Sequence, residues 1–173
     1  MTTNIFMLGM PSSGKSTLGR KLAAELKYDF MDLDRKIEVS EGKKIQEIFR
    51  LEGEDYFRKV ESEQLKKIPN DTSLVIALGG GTPCFYDNMD YIKENGISIF
   101  LDVSPDKLEE RMRTSRRNNR PMFKLENDNL LQTLTNTYNK RIDTYKSASI
   151  IIEGDTDAST ILWILEAQFP TSR

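Results

Sequence analysis

Short continuous apolar runs alternate along the chain with stretches of helical spacing. Asn4–Gly9 (NIFMLG) is an apolar run ending in glycine and reads as a buried strand. Lys15–Lys27 follows, with Leu18, Leu22 and Leu26 four residues apart, the spacing of one helix face. Tyr28–Asp32 is a second strand. Asp34 precedes Ile37, Glu38 and Val39 and is placed to cap a short helix. Lys44–Leu51 and Glu54–Ile68 read as two further helices, separated near Gly53. Ser73–Leu78 (SLVIAL) is a strand that runs into Gly79, Gly80 and Gly81. Tyr86–Asn95 reads as a helix and Ile97–Leu101 as another buried strand. Pro105, after Ser104 as cap, suits the first turn of a helix that reaches about Thr114. A polar, arginine-rich stretch runs from Ser115 to Asn127. Asp128–Lys146 is helical, Ser149–Ile152 is a fifth strand, and Ala158–Gln168 is a closing helix with Ile161, Ile164 and Leu165 inward.

Strands that alternate with helices predict an α/β fold: a five-stranded parallel sheet between two helical layers. Near-continuous apolar strands fit, because such strands are covered on both faces. Ligands of these sheets bind at the carboxyl ends of the strands. The chemistry is therefore expected just after Leu8, Phe30, Leu78 and Leu101. With no internal repeat, low-complexity stretch or long linker, residues 1–173 read as one domain.

Composition narrows the function. Apolar residues make up 38% and charged residues 30% of the chain, and the net charge is −2. The pI of about 5.4 argues against a dedicated nucleic-acid binder. No apolar run approaches the roughly 20 residues that cross a bilayer, and the N-terminus has no basic, cleavable leader. The expectation is a cytoplasmic protein with neither nucleic acid nor membrane as partner, working as a monomer. The single cysteine, Cys84, excludes an intrachain disulfide, and the absence of histidine excludes histidine zinc sites and histidine bases. A general base must then be a carboxylate or, failing that, Lys, Tyr or Cys.

Gly9-Met10-Pro11-Ser12-Ser13-Gly14-Lys15-Ser16 matches G-x-x-x-x-G-K-[ST] in full, with a strand before it and a helix after it. Glycine lets the backbone turn its N–H groups onto phosphates, and the positive end of the following helix faces the same anion. Ser12, Ser13, Gly14, Lys15, Ser16 and Thr17 are therefore the candidate ATP-binding residues. Lys15 is placed to reach the β- and γ-phosphates and Ser16 to ligate Mg²⁺. A guanine-reading N-K-x-D motif is absent. A small P-loop NTPase fold of this kind suits a metabolite or nucleotide kinase.

From the second strand onward the chain resembles the shikimate kinases, over about Ile5 to Phe169. Four groups carry the resemblance: Phe30-Met31-Asp32-Leu33-Asp34; Phe49, Gly53, Glu54, Phe57, Arg58 and Glu61; Gly79–Gly81; and Arg120-Pro121. The resemblance implies ATP and Mg²⁺ as cofactors and shikimate as the phosphate acceptor. It makes Asp32 a neighbour of the metal and Asp34 the partner and base of the acceptor hydroxyl. A plain helix cap accounts for Asp34 as well, on the residues alone. Arg58 becomes a clamp for the acceptor carboxylate, with Glu61 one turn on to orient it and Phe49 and Phe57 as apolar walls. Residues 34–62 are then the acceptor-binding helices, and Gly79, Gly80 and Gly81 a backbone surface against the ligand.

The basic run Arg111, Arg113, Arg116, Arg117, Arg120 and Lys124 reads as a solvated face or as part of a mobile lid over ATP, residues 112–126. The resemblance makes Arg120 the lid arginine that meets the transferring phosphate and sets Arg113 near the adenine. It makes Arg141 a second carboxylate clamp, although Asp143 and Thr144 stand where the family often has other residues before Tyr145. Asp102 ends an apolar strand as a Walker B aspartate does, yet ranks below Asp32 for metal work. Gluconate or a nucleoside monophosphate as acceptor, or a non-catalytic ATP-binding regulator, are the rival readings.

Overall fold

The computed structural model describes residues 3–114 and 129–170. Five strands, β1 (Asn4–Leu8), β2 (Asp29–Asp32), β3 (Leu74–Ala77), β4 (Gly96–Asp102) and β5 (Ile150–Glu153), form one parallel sheet in the order β2-β3-β1-β4-β5. Met7 is in register with Ala77 on one side and Ile99 on the other, so the strand that feeds the phosphate loop is central. The helices are α1 (Lys15–Leu26), α2 (Leu33–Glu41), α3 (Ile45–Leu51), α4 (Gly53–Lys66), α5 (Asn88–Asn95), α6 (Pro105–Thr114), α7 (Leu130–Tyr145) and α8 (Ala158–Gln168).

Side chains of a strand alternate between its faces, and here each face has its own core. Ile5 and Met7 of β1 pack with Leu22 of α1 and with Ile161 and Leu165 of α8. Phe6 and Leu8 point the other way, into a larger core with Leu33, Ile37, Phe57, Leu134 and Tyr145. Thus α1 and α8 cover one face, and α2 to α7 contribute to the other. Trp163 lies on α8 and is 70% exposed.

Helix ends depart from the sequence reading in physically simple ways. Asp32, not Asp34, caps α2: it is extended, and its carboxylate accepts from the Arg35 N–H. Strand β2 passes straight into α2, which puts Asp34 in the first helical turn. The helix expected over Tyr86–Asn95 begins only at Asn88. Thr82–Cys84 form a 3₁₀ turn, and Tyr86 has a positive φ of 51°, which no right-handed helix accommodates. At the end of α1, Lys27 adopts the left-handed conformation, φ 58°, and its N–H returns to the Ala23 and Ala24 carbonyls.

Candidate active site

The phosphate loop joins β1 to α1. Gly9 has φ +142°, and a Cβ there would lie 2.8 Å from both the Leu101 carbonyl oxygen and Ser13 Oγ, so this position takes glycine alone. Gly14 caps α1 without a side-chain bond, which leaves the first N–H groups of the helix for an anion. Ser13 Oγ is buried with no hydrogen-bond partner among the described residues. Lys15 is buried, and its Nζ donates to the carbonyls of Gly9 (2.9 Å) and Met10 (2.8 Å). Ser16 Oγ donates to Asp32 Oδ2 at 2.8 Å.

A cavity of about 290 Å³ opens beside this loop, between Ser12, Gly14, Thr17, Arg111 and Thr156. Arg111 closes one wall: it donates to the Ser12 carbonyl at 3.1 Å and to Asp155 at 2.6 Å. Arg113, expected near the adenine, donates to Glu109 and is exposed. Residues two apart on a helix point about 200° from each other, so α6 can turn only one of the pair towards the loop. Arg120 and residues 115–126 of the expected lid lie outside the described residues. Asp102 accepts from the Tyr138 hydroxyl at 2.7 Å.

The second half of the site gathers where β3 ends. Arg58 and Glu61 lie one turn apart on α4, and both are buried. Arg58 Nη1 donates to Glu61 at 2.9 Å, while Nε and Nη2 donate to Glu54 at 3.1 and 3.0 Å. The guanidinium lies 4.2 Å from the Phe85 ring centroid and 5.2 Å from that of Phe57, which itself packs on Phe49. A Cβ on Gly81 would sit 2.6 Å from both Nη1 and Nη2 of Arg58. On Gly79 it would sit 2.9 Å from Asp34 Oδ1 and 2.8 Å from Glu61 Oε1, and on Gly80 3.2 Å from Arg141 Nη1. None of the three has a left-handed φ, so the glycines are needed for space, not for a turn. They let two arginines and two carboxylates close on one short stretch of main chain. One turn after Arg141, the Tyr145 hydroxyl donates to the Gly80 carbonyl.

A family model described as shikimate kinase matches residues 11–167. The chain belongs to the shikimate kinase family. A shikimate kinase of Clostridium botulinum is 39% identical to it over 164 residues, 95% of each chain. A structure of shikimate kinase from Acinetobacter baumannii in complex with shikimate superposes with a TM-score of 0.89 at 31% identity, over 98% of this chain and 96% of that one. The shikimate kinase of Bacteroides thetaiotaomicron gives 0.86 at 32%, over 96% and 97%. The family's P-loop kinase fold is the fold seen here, and the chain is a kinase.

In this member of the shikimate kinase family, the charged groups around Gly79–Gly81 act on one another. Burial pushes the Glu61 carboxyl above its ordinary range, while the Arg58 guanidinium and the Thr82 hydroxyl pull it back. Burial likewise raises the hydroxyl of Tyr145 and the thiol of Cys84. Thr82, Phe85 and Arg111 join the site without having been singled out in the sequence. Arg111 carried a signal, its place in the basic run; Thr82 and Phe85 carried none, since only the 3₁₀ turn after Gly81 brings them back against α4.

Proposed function

We propose that the chain transfers the γ-phosphoryl group of ATP to the 3-hydroxyl of shikimate, giving shikimate 3-phosphate and ADP. The observation that carries this reading is the convergence of Arg58, Arg141 and Asp34 on Gly79–Gly81, at the same carboxyl end of the parallel strands as the phosphate loop. Two arginines suit a carboxylate, and a carboxylate beside them suits a neighbouring hydroxyl.

ATP lies on the loop from Ser12 to Thr17, with Arg111 as the side wall. Lys15, which now bonds two loop carbonyls, turns to the β- and γ-phosphates. Ser16 and Asp32 would hold Mg²⁺. Among the described residues no group of three or more acidic, histidine or cysteine side chains has the arrangement to hold a metal ion by itself. A single hydroxyl–carboxylate pair fits an ion that keeps its waters and binds the substrate's phosphates. When bound, the ion offsets phosphate charge. Asp34 accepts the proton of the attacking hydroxyl, and Arg120 of the lid meets the charge that spreads over the transferring phosphoryl. The working unit is taken to be a monomer in the cytoplasm; no helix among the described residues is long and apolar enough to cross a membrane.

An ADP-release assay with Mg·ATP tests the reading against shikimate, gluconate, a nucleoside monophosphate mixture and no acceptor. Turnover with shikimate alone is expected. Turnover with another acceptor would sink the clamp, and ATP binding without turnover would favour a regulator. Arg58→Ala should raise the KM for shikimate at least about tenfold, the scale of a lost charged hydrogen bond, with the KM for ATP little changed. An equal rise in both would refute the clamp.

A further inference from the structure

The clamp arginine depends on a carboxylate in an adverse place. Glu61 is fully buried, and its two oxygens are engaged differently. Oε2 accepts from Arg58 Nη1 at 2.9 Å; Oε1 accepts from Thr82 Oγ1 at 2.6 Å. Thr82 is itself fully buried and opens the 3₁₀ turn that follows the glycines. It is held at its main chain as well. Its carbonyl accepts from Asn88 Nδ2 at 2.8 Å, and Asn88 Oδ1 accepts from Ser62 Oγ at 2.7 Å. Ser62 is the residue after Glu61. The path thus leaves α4 at Glu61, crosses Thr82 and Asn88, and returns to α4 at Ser62, a closed buried ring.

A buried carboxylate is kept ionised by the donors it accepts from. A neutral Glu61 would lose its charged partnership with Arg58 and offer it at best a weaker, uncharged acceptor. Other charged and titratable groups bear on the same cluster: Glu54 from α4, Asp34 from α2, Cys84 from the turn, and Arg141 and Tyr145 from α7. The donors bonded to the Glu61 oxygens are Arg58 and Thr82, and of the two Thr82 is uncharged and outside the clamp.

We propose that Thr82 is a positioning residue for the acceptor site: its hydroxyl holds Glu61 as a carboxylate, and Glu61 thereby fixes the Arg58 guanidinium for the acceptor's own carboxylate. The proposal rests on Arg58 being that clamp. Removing the hydroxyl lets burial act with less opposition. Glu61 then takes up a proton at higher pH, and acceptor affinity falls as pH is lowered, from a higher starting pH than in the unaltered protein.

The test measures shikimate binding and the KM for shikimate and ATP across pH 6 to 9 for the unaltered enzyme, Thr82→Val, Thr82→Ser and Arg58→Lys. Thr82→Val keeps the shape and loses the hydroxyl. It should raise the KM for shikimate about tenfold at neutral pH, the scale of one hydrogen bond to a charged group. The gap should narrow as pH rises, and the KM for ATP should stay within about twofold. Thr82→Ser restores the hydroxyl and should restore affinity and pH profile together. A parallel loss in Thr82→Val and Thr82→Ser, or a Thr82→Val loss that is the same at every pH, overturns the proposal, since either marks packing. If Thr82→Val does not fold, Thr82→Ala takes its place with the same expected profile. If Arg58→Lys leaves shikimate affinity intact, the clamp itself is wrong; if Arg58→Lys weakens binding and Thr82→Val does not, only the role of Thr82 fails.

Discussion

Gly81 shows how much of this site is decided by the absence of an atom. Its missing Cβ is the space that the Arg58 guanidinium occupies. Gly81→Ala should therefore push Arg58 off Glu61 and raise the KM for shikimate by about tenfold or more, the scale of a displaced charge-assisted hydrogen bond. The KM for ATP should hardly change, since the phosphate loop takes no part in that contact. Steady-state kinetics with each substrate varied would check it; an equal effect on both would place the damage in the fold. Asp32 illustrates a different economy. One of its oxygens starts α2 and the other receives Ser16, so one side chain both ends β2 and fixes the hydroxyl beside the phosphate loop.

At the scale of elements, the turn after α1 is a place where the sequence is not optimal. Lys27 holds a left-handed conformation that costs a residue with a Cβ about 1–2 kcal/mol. Lys27→Gly should stabilise the protein by roughly 0.5–1 kcal/mol after allowing for glycine's extra freedom when unfolded. Thermal denaturation should show a rise of about 1–4 °C. The inner strands β1 and β3 were legible in the chain because both of their faces are covered, so each reads as an unbroken apolar run, Ile5–Leu8 and Leu74–Ala77. The phosphate loop was legible because its backbone geometry demands particular residues at fixed spacing. Three features were not. Whether Asp32 or Asp34 caps α2 depends on β2 meeting α2 without a loop. Which of Arg111 and Arg113 turns to the cavity beside the phosphate loop depends on the rotation of α6. Thr82 reaches Glu61 only through the packing of a short turn on α4. Each depends on how two elements meet, and local pattern does not encode that.

The molecule as a whole divides its labour across the sheet. The side chains proposed for the acceptor, Asp34, Arg58 and Arg141, come from α2, α4 and α7, all in the layer built around Phe6 and Tyr145. The α1–α8 layer is built around Ile5, Met7 and Ile161. This second layer holds Trp163, the chain's one tryptophan, on its outer surface. An indole already in water changes its surroundings little when the acceptor arrives on the far side of the sheet. Intrinsic tryptophan emission should therefore stay flat through a shikimate titration, and its wavelength should move little on denaturation. A fluorophore introduced in the acceptor layer, as in Phe49→Trp, would supply the optical signal that the natural chain withholds.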